Sequence, residues 1–278
     1  MVIVESAGIS DVGKKRNQNE DSLFFDNSLG LYIVADGMGG HQAGEVASRL
    51  VVETMRDCIH KFQENGHSAE LTHTDETLSI EANQLLSSIR RSNEIVHKTS
   101  QSSESYRGMG STVSAVYFTD NTLIAANVGD SPIYLIRNRK IRLFSMLHTV
   151  FAEQSARDPE YADMLGTEFK HVLTRAMGVD ESVQAYIHEI PFFKNDIIVI
   201  SSDGLSDKAA PEEILQIVEK NSSGKACQLL VDLANERGGD DNITIIVLKI
   251  KKAPKTQHNL MGLIFEKFKK LFKLQPLK

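Results

Sequence analysis

Short apolar runs separated by turn residues dominate much of the chain. β-Branched and aliphatic residues fill these runs, which is typical of buried strands, and the predicted strands cover residues 31–35, 112–118, 123–128, 133–137, 140–144, 196–201 and 243–250. Residues 2–10 alternate weakly and predict an edge strand. The turn residues at 119–122 and 138–139 join neighbouring runs as hairpins. These patterns predict sheets with antiparallel pairing.

A second pattern, with apolar residues three or four positions apart, predicts helices. It covers residues 43–60, 77–99, 212–220 and 225–236, and Pro211 marks the start of the third. Helices inserted in blocks between hairpins indicate an α+β fold with a sheet-based core. Because no linker or internal repeat interrupts residues 1–250, we expect a single domain there, followed by a tail at residues 251–278.

Four aspartates occur in one recurring context. Asp36, Asp130 and Asp203 each follow an apolar run and adjoin a glycine, and Asp241 precedes the run at 243–250. A single aspartate of this kind fits an ordinary strand-to-helix turn equally well. Four of them predict carboxylates that converge at one edge of a sheet, where oxygen ligands favour Mg²⁺ or Mn²⁺. Arg16, in a polar loop before Phe24 and Phe25, is a candidate to hold a phosphate group.

Charge is distributed unevenly along the chain. Residues 251–278 contain eight lysines and one glutamate, which leaves a net charge of −13 for residues 1–250 out of the total of −6. An acidic body argues against nucleic-acid binding and favours bound cations. The two cysteines, Cys58 and Cys227, indicate a reduced protein without a disulfide framework, and no signal peptide or membrane-spanning run is predicted.

Seven motifs in order resemble the bacterial branch of the PP2C-type (PPM) metal-dependent protein serine/threonine phosphatases. They lie at Arg16 with Asn19-Glu20-Asp21, at residues 34–41, at Gly110-Ser111-Thr112, at residues 128–131, at residues 173–178, at residues 202–205 and at residues 241–244. Each motif alone is weak, but their shared order across residues 6–249 is specific. The resemblance implies a β-sandwich of two antiparallel sheets flanked on both sides by helices.

The same resemblance implies roles for individual residues. Asp36 would bridge two Mn²⁺ or Mg²⁺ ions, the Gly37 carbonyl would bind one of them, and Asp203 and Asp241 would complete the pair. Glu20 would orient a metal-bound water, Arg16 would bind the substrate phosphate, and Asp130 with Asp203 would hold a third, weaker ion. A metal-bridged hydroxide would then attack phosphorus directly, without a phospho-enzyme.

The chain departs from the family pattern at three places. Pro132 replaces a common arginine and is expected to redirect the start of the strand that follows. Residues 146–149 stand where the family often has an Asp-His-Ser run, at the start of a substrate-side flap spanning 145–170. Met38 replaces a histidine of eukaryotic members, which leaves His41 either as a proton donor to the leaving hydroxyl or as a turn residue.

These observations predict a monomeric, cytoplasmic phosphatase that acts on phosphorylated proteins. It would oppose a bacterial Ser/Thr kinase in signalling or in control of a secretion apparatus. A catalytically silent phosphoprotein-binding relative and a hydrolase of small phosphate esters are the alternatives. The basic tail has apolar residues at helical spacing, so it would pack on the domain, dock on a partner or lie on the inner membrane face.

Overall fold

The computed structural model describes residues 2–39, 43–65, 74–158, 165 and 167–253. Eleven strands lie in this part of the chain. In chain order they are β1 (Ile3–Asp11), β2 (Asp21–Asp26), β3 (Leu31–Met38), β4 (Gly110–Ser111), β5 (Val113–Phe118), β6 (Thr122–Val128), β7 (Ile133–Arg137), β8 (Lys140–Leu143), β9 (Tyr186–Pro191), β10 (Ile197–Ser201) and β11 (Ile243–Lys252).

The strands form two sheets in which neighbouring strands pair antiparallel. One sheet has the order β1-β11-β10-β7-β8, and the other has the order β2-β3-β5-β6-β9, with β4 paired to β3. Both predicted hairpins are present, as β5–β6 and β7–β8. The second turns through Asn138 and Arg139, whose φ values are both positive, as a two-residue hairpin that follows the strand twist requires. β1 is an edge strand, as predicted.

Five helices of eight or more residues lie in the described ranges. They are α1 (Ala43–Asn65), α2 (Ile80–Ser102), α3 (Val150–Arg157), α4 (Pro211–Lys220) and α5 (Ser223–Glu236). Side-chain caps set several of their starts. Ser79 caps α2 by accepting a hydrogen bond from Ala82 N at 3.1 Å, and Thr149 caps α3 in the same way. Within the described ranges, no helix is long and apolar enough to cross a bilayer.

Three hydrophobic layers hold the sheets and helices together. Successive residues of β3 point to opposite faces, so Tyr32 and Val34 pack between the sheets while Ile33 packs against α1 and α2. The other sheet buries its outer face under α4 and α5. The arrangement is therefore helices, sheet, sheet, helices. It confirms the predicted α+β sandwich and explains why the central strands read as continuous apolar runs.

Pro132 does not disturb the strand that follows it. β7 begins at the next residue, Ile133, and the Pro132 carbonyl accepts a hydrogen bond from Ser201 N at 3.1 Å. Proline lacks only the N–H, so its carbonyl still extends the pairing with β10. The pairing of β7 with β10 is therefore regular from Ile133 onward.

Candidate active site

The seven residues predicted to bind metal ions or substrate phosphate line one cavity at an end of the sandwich. Its volume is 260 Å³, and its lining includes Arg16, Glu20, Asp36, Gly37, Asp130, Asp203 and Asp241. The four aspartates come from the end of β3, the turn after β6, the turn after β10 and the turn before β11, and Glu20 directly precedes β2. Since β10 and β11 are antiparallel neighbours, the end of one meets the start of the other. Strand pairing thus brings together aspartates from four distant parts of the chain.

Backbone hydrogen bonds fix Asp36 at the end of β3. Its carbonyl accepts from Thr112 N at 2.8 Å, and its N–H donates to the Thr112 hydroxyl at 3.0 Å. The next residue, Gly37, donates its N–H to the Glu20 carbonyl at 3.1 Å. A Cβ on Gly37 would lie only 2.1 Å from the Gly44 carbonyl oxygen. The glycine is required because the backbones approach so closely here.

Asn242 braces the loop that carries Arg16 and Glu20. Its amide donates to the carbonyls of Val12 and Gln18 at 2.9 and 3.0 Å, and its carbonyl oxygen accepts from Glu20 N at 2.9 Å. The guanidinium of Arg16 donates to Asp241 Oδ2 at 2.8 Å, which holds this cation at the cavity wall. Asn242 therefore organises the loop that carries Arg16, which the sequence predicts to bind phosphate.

Burial and mutual repulsion raise the pKa values of the clustered carboxyl groups. Burial, followed by the nearby charges of Asp21, Asp203 and Asp130, raises the pKa of Asp36 well above its ordinary value. Burial first, and then Asp130, raises the pKa of Asp203 to about 8, and burial raises that of Asp130 to about 6. Burial also raises the pKa of Glu20. Without a compensating cation, the ionised forms of these carboxyl groups are therefore disfavoured.

The residues fit a pair of divalent cations. One carboxylate oxygen of Asp203 is buried with no hydrogen-bond partner, which is costly for an ionised acid unless a cation faces it. Asp36, Asp203, Asp241 and the Gly37 carbonyl offer oxygen donors, the type that Mg²⁺ and Mn²⁺ prefer. Divalent ions would also offset the repulsion that raises the pKa values.

Comparison with known proteins agrees with this geometry. The family model described as protein phosphatase 2C matches residues 13–223. The chain belongs to the protein phosphatase 2C family. The serine/threonine phosphatase stp of Listeria monocytogenes is 32% identical over 247 residues, covering 86% of this chain and 93% of that protein. This chain is thus a metal-dependent serine/threonine protein phosphatase.

Solved structures support the same assignment. The serine/threonine phosphatase PstP/Ppp of Mycobacterium tuberculosis superposes with a TM-score of 0.77 at 28% identity, covering 91% of this chain and 100% of that one. The catalytic domain of PstP solved with two manganese ions has a TM-score of 0.75 at 27% identity and the same coverage. The phosphatase therefore uses Mn²⁺ or Mg²⁺, and its fold is that of its structural neighbours.

Two titratable side chains at the phosphatase site, Asp21 and His171, were not predicted from the sequence. Asp21 pairs with Asp36 across the β2–β3 ladder, and its Oδ2 accepts from the Ser202 hydroxyl at 2.8 Å. Burial raises the pKa of Asp21 to about 6. His171 lines the cavity beside Asp130. Asp21 adjoins Glu20 in the first of the seven motifs, so that motif could have identified it as a site residue. Nothing in the local sequence marks His171.

Two other predictions concern the edge of the site. His41 lies outside the described residues, and Met38 lines the cavity at the place of the eukaryotic histidine. At the start of the flap, His148 is fully buried, and its Nδ1 accepts from Gly129 N at 3.1 Å. Thr149 caps α3. His148 therefore anchors the start of the flap to the turn that carries Asp130, and Thr149 begins the helix that follows.

The buried His148 predicts a measurable pH dependence of stability. The pKa of His148 is lowered from 6.5 to about 4, first of all by burial. The positive charge of Arg175, whose Nη1 lies 3.2 Å from His148 Nε2, contributes to this lowering of the pKa, and the nearby Glu153 partly opposes it. Below pH 6.5, His148 therefore binds a proton in the unfolded chain but not in the folded chain. The free energy of unfolding decreases as the pH is lowered from 6.5 towards 4. Relative to His148→Asn, wild type should lose as much as about 3 kcal/mol between pH 6.5 and 4.

Denaturant titrations of both proteins at several pH values measure this difference. Asparagine keeps an oxygen acceptor for Gly129 N but does not titrate. Parallel stability curves for the two proteins across this pH range would show that His148 does not resist protonation in the folded state.

Proposed function

We propose that the phosphatase removes phosphate from phosphoserine and phosphothreonine in proteins modified by a bacterial Ser/Thr kinase, in signalling or in control of a secretion apparatus. The observation that carries this proposal is the convergence of Asp36, Asp203 and Asp241 with Arg16 on one cavity. The closely similar relatives named as serine/threonine phosphatases support it. In the proposed assignment the protein is a cytoplasmic monomer.

The proposed division of labour follows from where each group lies. Asp36 and the Gly37 carbonyl, at the end of β3, and Asp203 and Asp241, beside β10 and β11, would hold two Mn²⁺ or Mg²⁺ ions. When bound, such ions lower the pKa of water and withdraw charge from a phosphoryl oxygen. The proposal assigns Glu20 to orienting the attacking water and Asp130 to a third, weaker ion.

Arg16 is the group that we assign to the substrate phosphate. Its side chain is 51% exposed and is held by the ion pair with Asp241 at 2.8 Å, so it lines the cavity without being enclosed. A guanidinium presents N–H groups in a fork that matches two phosphate oxygens. Hydrolysis adds water to phosphorus and releases the serine or threonine hydroxyl with its proton. Arg16 would orient the phosphoryl group for that displacement.

Substitution of Arg16 tests this role. We expect Arg16→Ala to raise KM for a phosphothreonine peptide about tenfold or more, because a charge-assisted, bidentate contact is lost. Arg16→Lys should lie between wild type and Arg16→Ala, since it keeps the charge without the fork. Steady-state kinetics with Mn²⁺ give KM and kcat for each variant.

Arg107→Ala is the matched control, because Arg107 is an exposed arginine whose carboxylate partner, Glu104, is exposed as well. Equal KM values for Arg16→Ala and wild type would remove Arg16 from the phosphate-binding role. The same assay with p-nitrophenyl phosphate addresses the small-ester alternative. A kcat/KM for that compound well above the value for every phosphopeptide would favour the alternative.

For the basic tail, residues 251–278, we propose docking on a partner protein or on an anionic membrane surface at the inner face. Residues 254–278 of the tail lie outside the described residues, and β11 ends at Lys252, at the end of its sheet opposite Asp241. Deletion of 254–278 should abolish binding to anionic liposomes if the membrane is the target, whereas a lowered melting temperature would indicate packing on the domain.

A further inference from the structure

A histidine lines the cavity close to two of the acids. One ring nitrogen of His171 and one carboxylate oxygen from each of Asp130 and Asp203 all lie within 4.8 Å of one another. Asp130 follows β6, and Asp203 follows β10. His171 comes directly after a short helical turn, Thr167–Lys170, where the chain returns to the sandwich. Three separate segments therefore contribute to this cluster.

Two further observations indicate that this cluster is arranged for a cation. Asp203 Oδ1 is buried and has no hydrogen-bond partner. Asp207 Oδ2 lies 3.6 Å from His171 Nδ1, which places a third carboxylate near the imidazole ring. In metal sites a carboxylate commonly lies beside the ring nitrogen that does not bind the ion and orients the ring, so Asp207 at Nδ1 would suit an ion bound at Nε2. Asp207 follows Asp203 by four residues, so one helical turn positions both acids.

We propose that His171 is a ligand of a third metal ion held with Asp130 and Asp203, and that Asp207 orients its ring. The inference rests on the proposed assignment of these two aspartates to metal binding and adds a nitrogen donor from the flap side. Imidazole is a good ligand for transition metals, whereas Mg²⁺ prefers oxygen. The third site should therefore select Mn²⁺ over Mg²⁺ more strongly than an all-carboxylate site would.

Such a ligand would couple metal binding to the position of the substrate-side segment. Leu173, two residues after His171, lines the same cavity. Thr174 N donates to the His148 carbonyl at 2.9 Å, and Val150 N donates to the Val172 carbonyl at 2.9 Å. The segment around His171 is thus tied to the start of α3. Ion binding at His171 would hold this segment, which directly follows the flap, against the two aspartates of the sandwich.

Electron paramagnetic resonance titration of the intact phosphatase with Mn²⁺ tests the proposal without an activity assay. We expect wild type to bind two ions tightly and a third more weakly. His171→Asn should weaken the third ion about tenfold or more and leave the first two unchanged. His171→Asp, which supplies oxygen instead of nitrogen, should bind a third Mn²⁺ but lose part of the preference over competing Mg²⁺.

His60→Asn is the matched control. His60 is on α1, is 56% exposed against 52% for His171, and likewise has a carboxylate nearby, with its Nδ1 3.4 Å from Glu64 Oε2. The inference would be overturned if His171→Asn bound the third Mn²⁺ ion with an affinity within about twofold of wild type. It would also be overturned if Asp130→Asn bound that ion as tightly as wild type does. Binding of exactly two ions by wild type would also overturn it. Failure of wild type to bind any ion tightly would instead contradict the proposed function.

Discussion

Asp36→Asn is expected to lower kcat/KM for a phosphothreonine peptide by at least about 10³-fold, which corresponds to about 4 kcal/mol of transition-state stabilisation. Asparagine has nearly the shape of aspartate but loses the negative charge with which Asp36 would bridge two cations. Steady-state assays in saturating Mn²⁺ measure the loss. A parallel thermal melt of the metal-free proteins shows whether the variant is folded.

The raised pKa of Asp36 also predicts how Asp36→Asn affects the stability of the metal-free protein. Burial and neighbouring acids raise the pKa of Asp36, so its charge opposes folding when no cation is present. Metal-free Asp36→Asn should therefore melt no lower than wild type. Asp120→Asn, in the exposed β5–β6 turn, should keep full activity. Asp36→Asn activity within about tenfold of wild type would exclude a bridging role for Asp36.

Gly37→Ala is expected to lose both stability and activity. A Cβ at this position would lie 2.1 Å from the Gly44 carbonyl oxygen and 2.5 Å from that of Glu20, and both contacts are with backbone. Relief of this overlap must move β3, the start of α1 or the Glu20 segment. We expect a loss of about 3 kcal/mol in the free energy of unfolding, and a large fall in kcat/KM because Glu20 is displaced. Denaturant titration and peptide kinetics measure the two effects.

Gly224→Ala is the matched control for this substitution. Gly224 lies in α5, and the nearest atom to a Cβ there is Ala7 Cβ at 3.9 Å, an ordinary contact. Alanine favours helix more than glycine does, so this variant should be at least as stable as wild type. If Gly37→Ala matched Gly224→Ala in stability and activity, close backbone approach would not explain the glycine at position 37.

Local sequence patterns predicted the central strands and their acids well. These strands are buried on both faces, so each reads as an apolar run, and the aspartate that ends it marks the point where the chain reaches the cavity. The two predicted hairpins account for the β5–β6 and β7–β8 pairings, whereas the other pairings join distant segments of the chain. This is why Asp36, Asp130, Asp203 and Asp241 could be grouped before any distance between them was known.

Edge strands and tertiary neighbours could not be predicted in the same way. β2 and β9 lie at the two edges of their sheet, and several of their residues are half-buried or exposed, so neither gives a continuous apolar run. Asp21 was overlooked because it begins β2 and has no adjacent glycine. His171 depends on where the chain returns to the sandwich, which no periodicity encodes.

The boundary at residue 250 and the roles of individual site residues remain predictions. β11 continues to Lys252, and Ala253 packs against the core between the sheets. The sheet thus extends slightly beyond the predicted boundary. What the structure adds to the sequence is the support around the acids, above all Asn242 and the close contact between Gly37 and Gly44.

The central claim is that this chain hydrolyses phosphoproteins with a carboxylate site that works only when it holds divalent cations. Phosphate release from a phosphothreonine peptide by metal-free wild type, measured during stepwise addition of Mn²⁺, tests it most directly. The account predicts no release without metal, release that appears as ions bind, and complete loss on adding a chelator. Undiminished release in chelator, or none in saturating Mn²⁺, would contradict it.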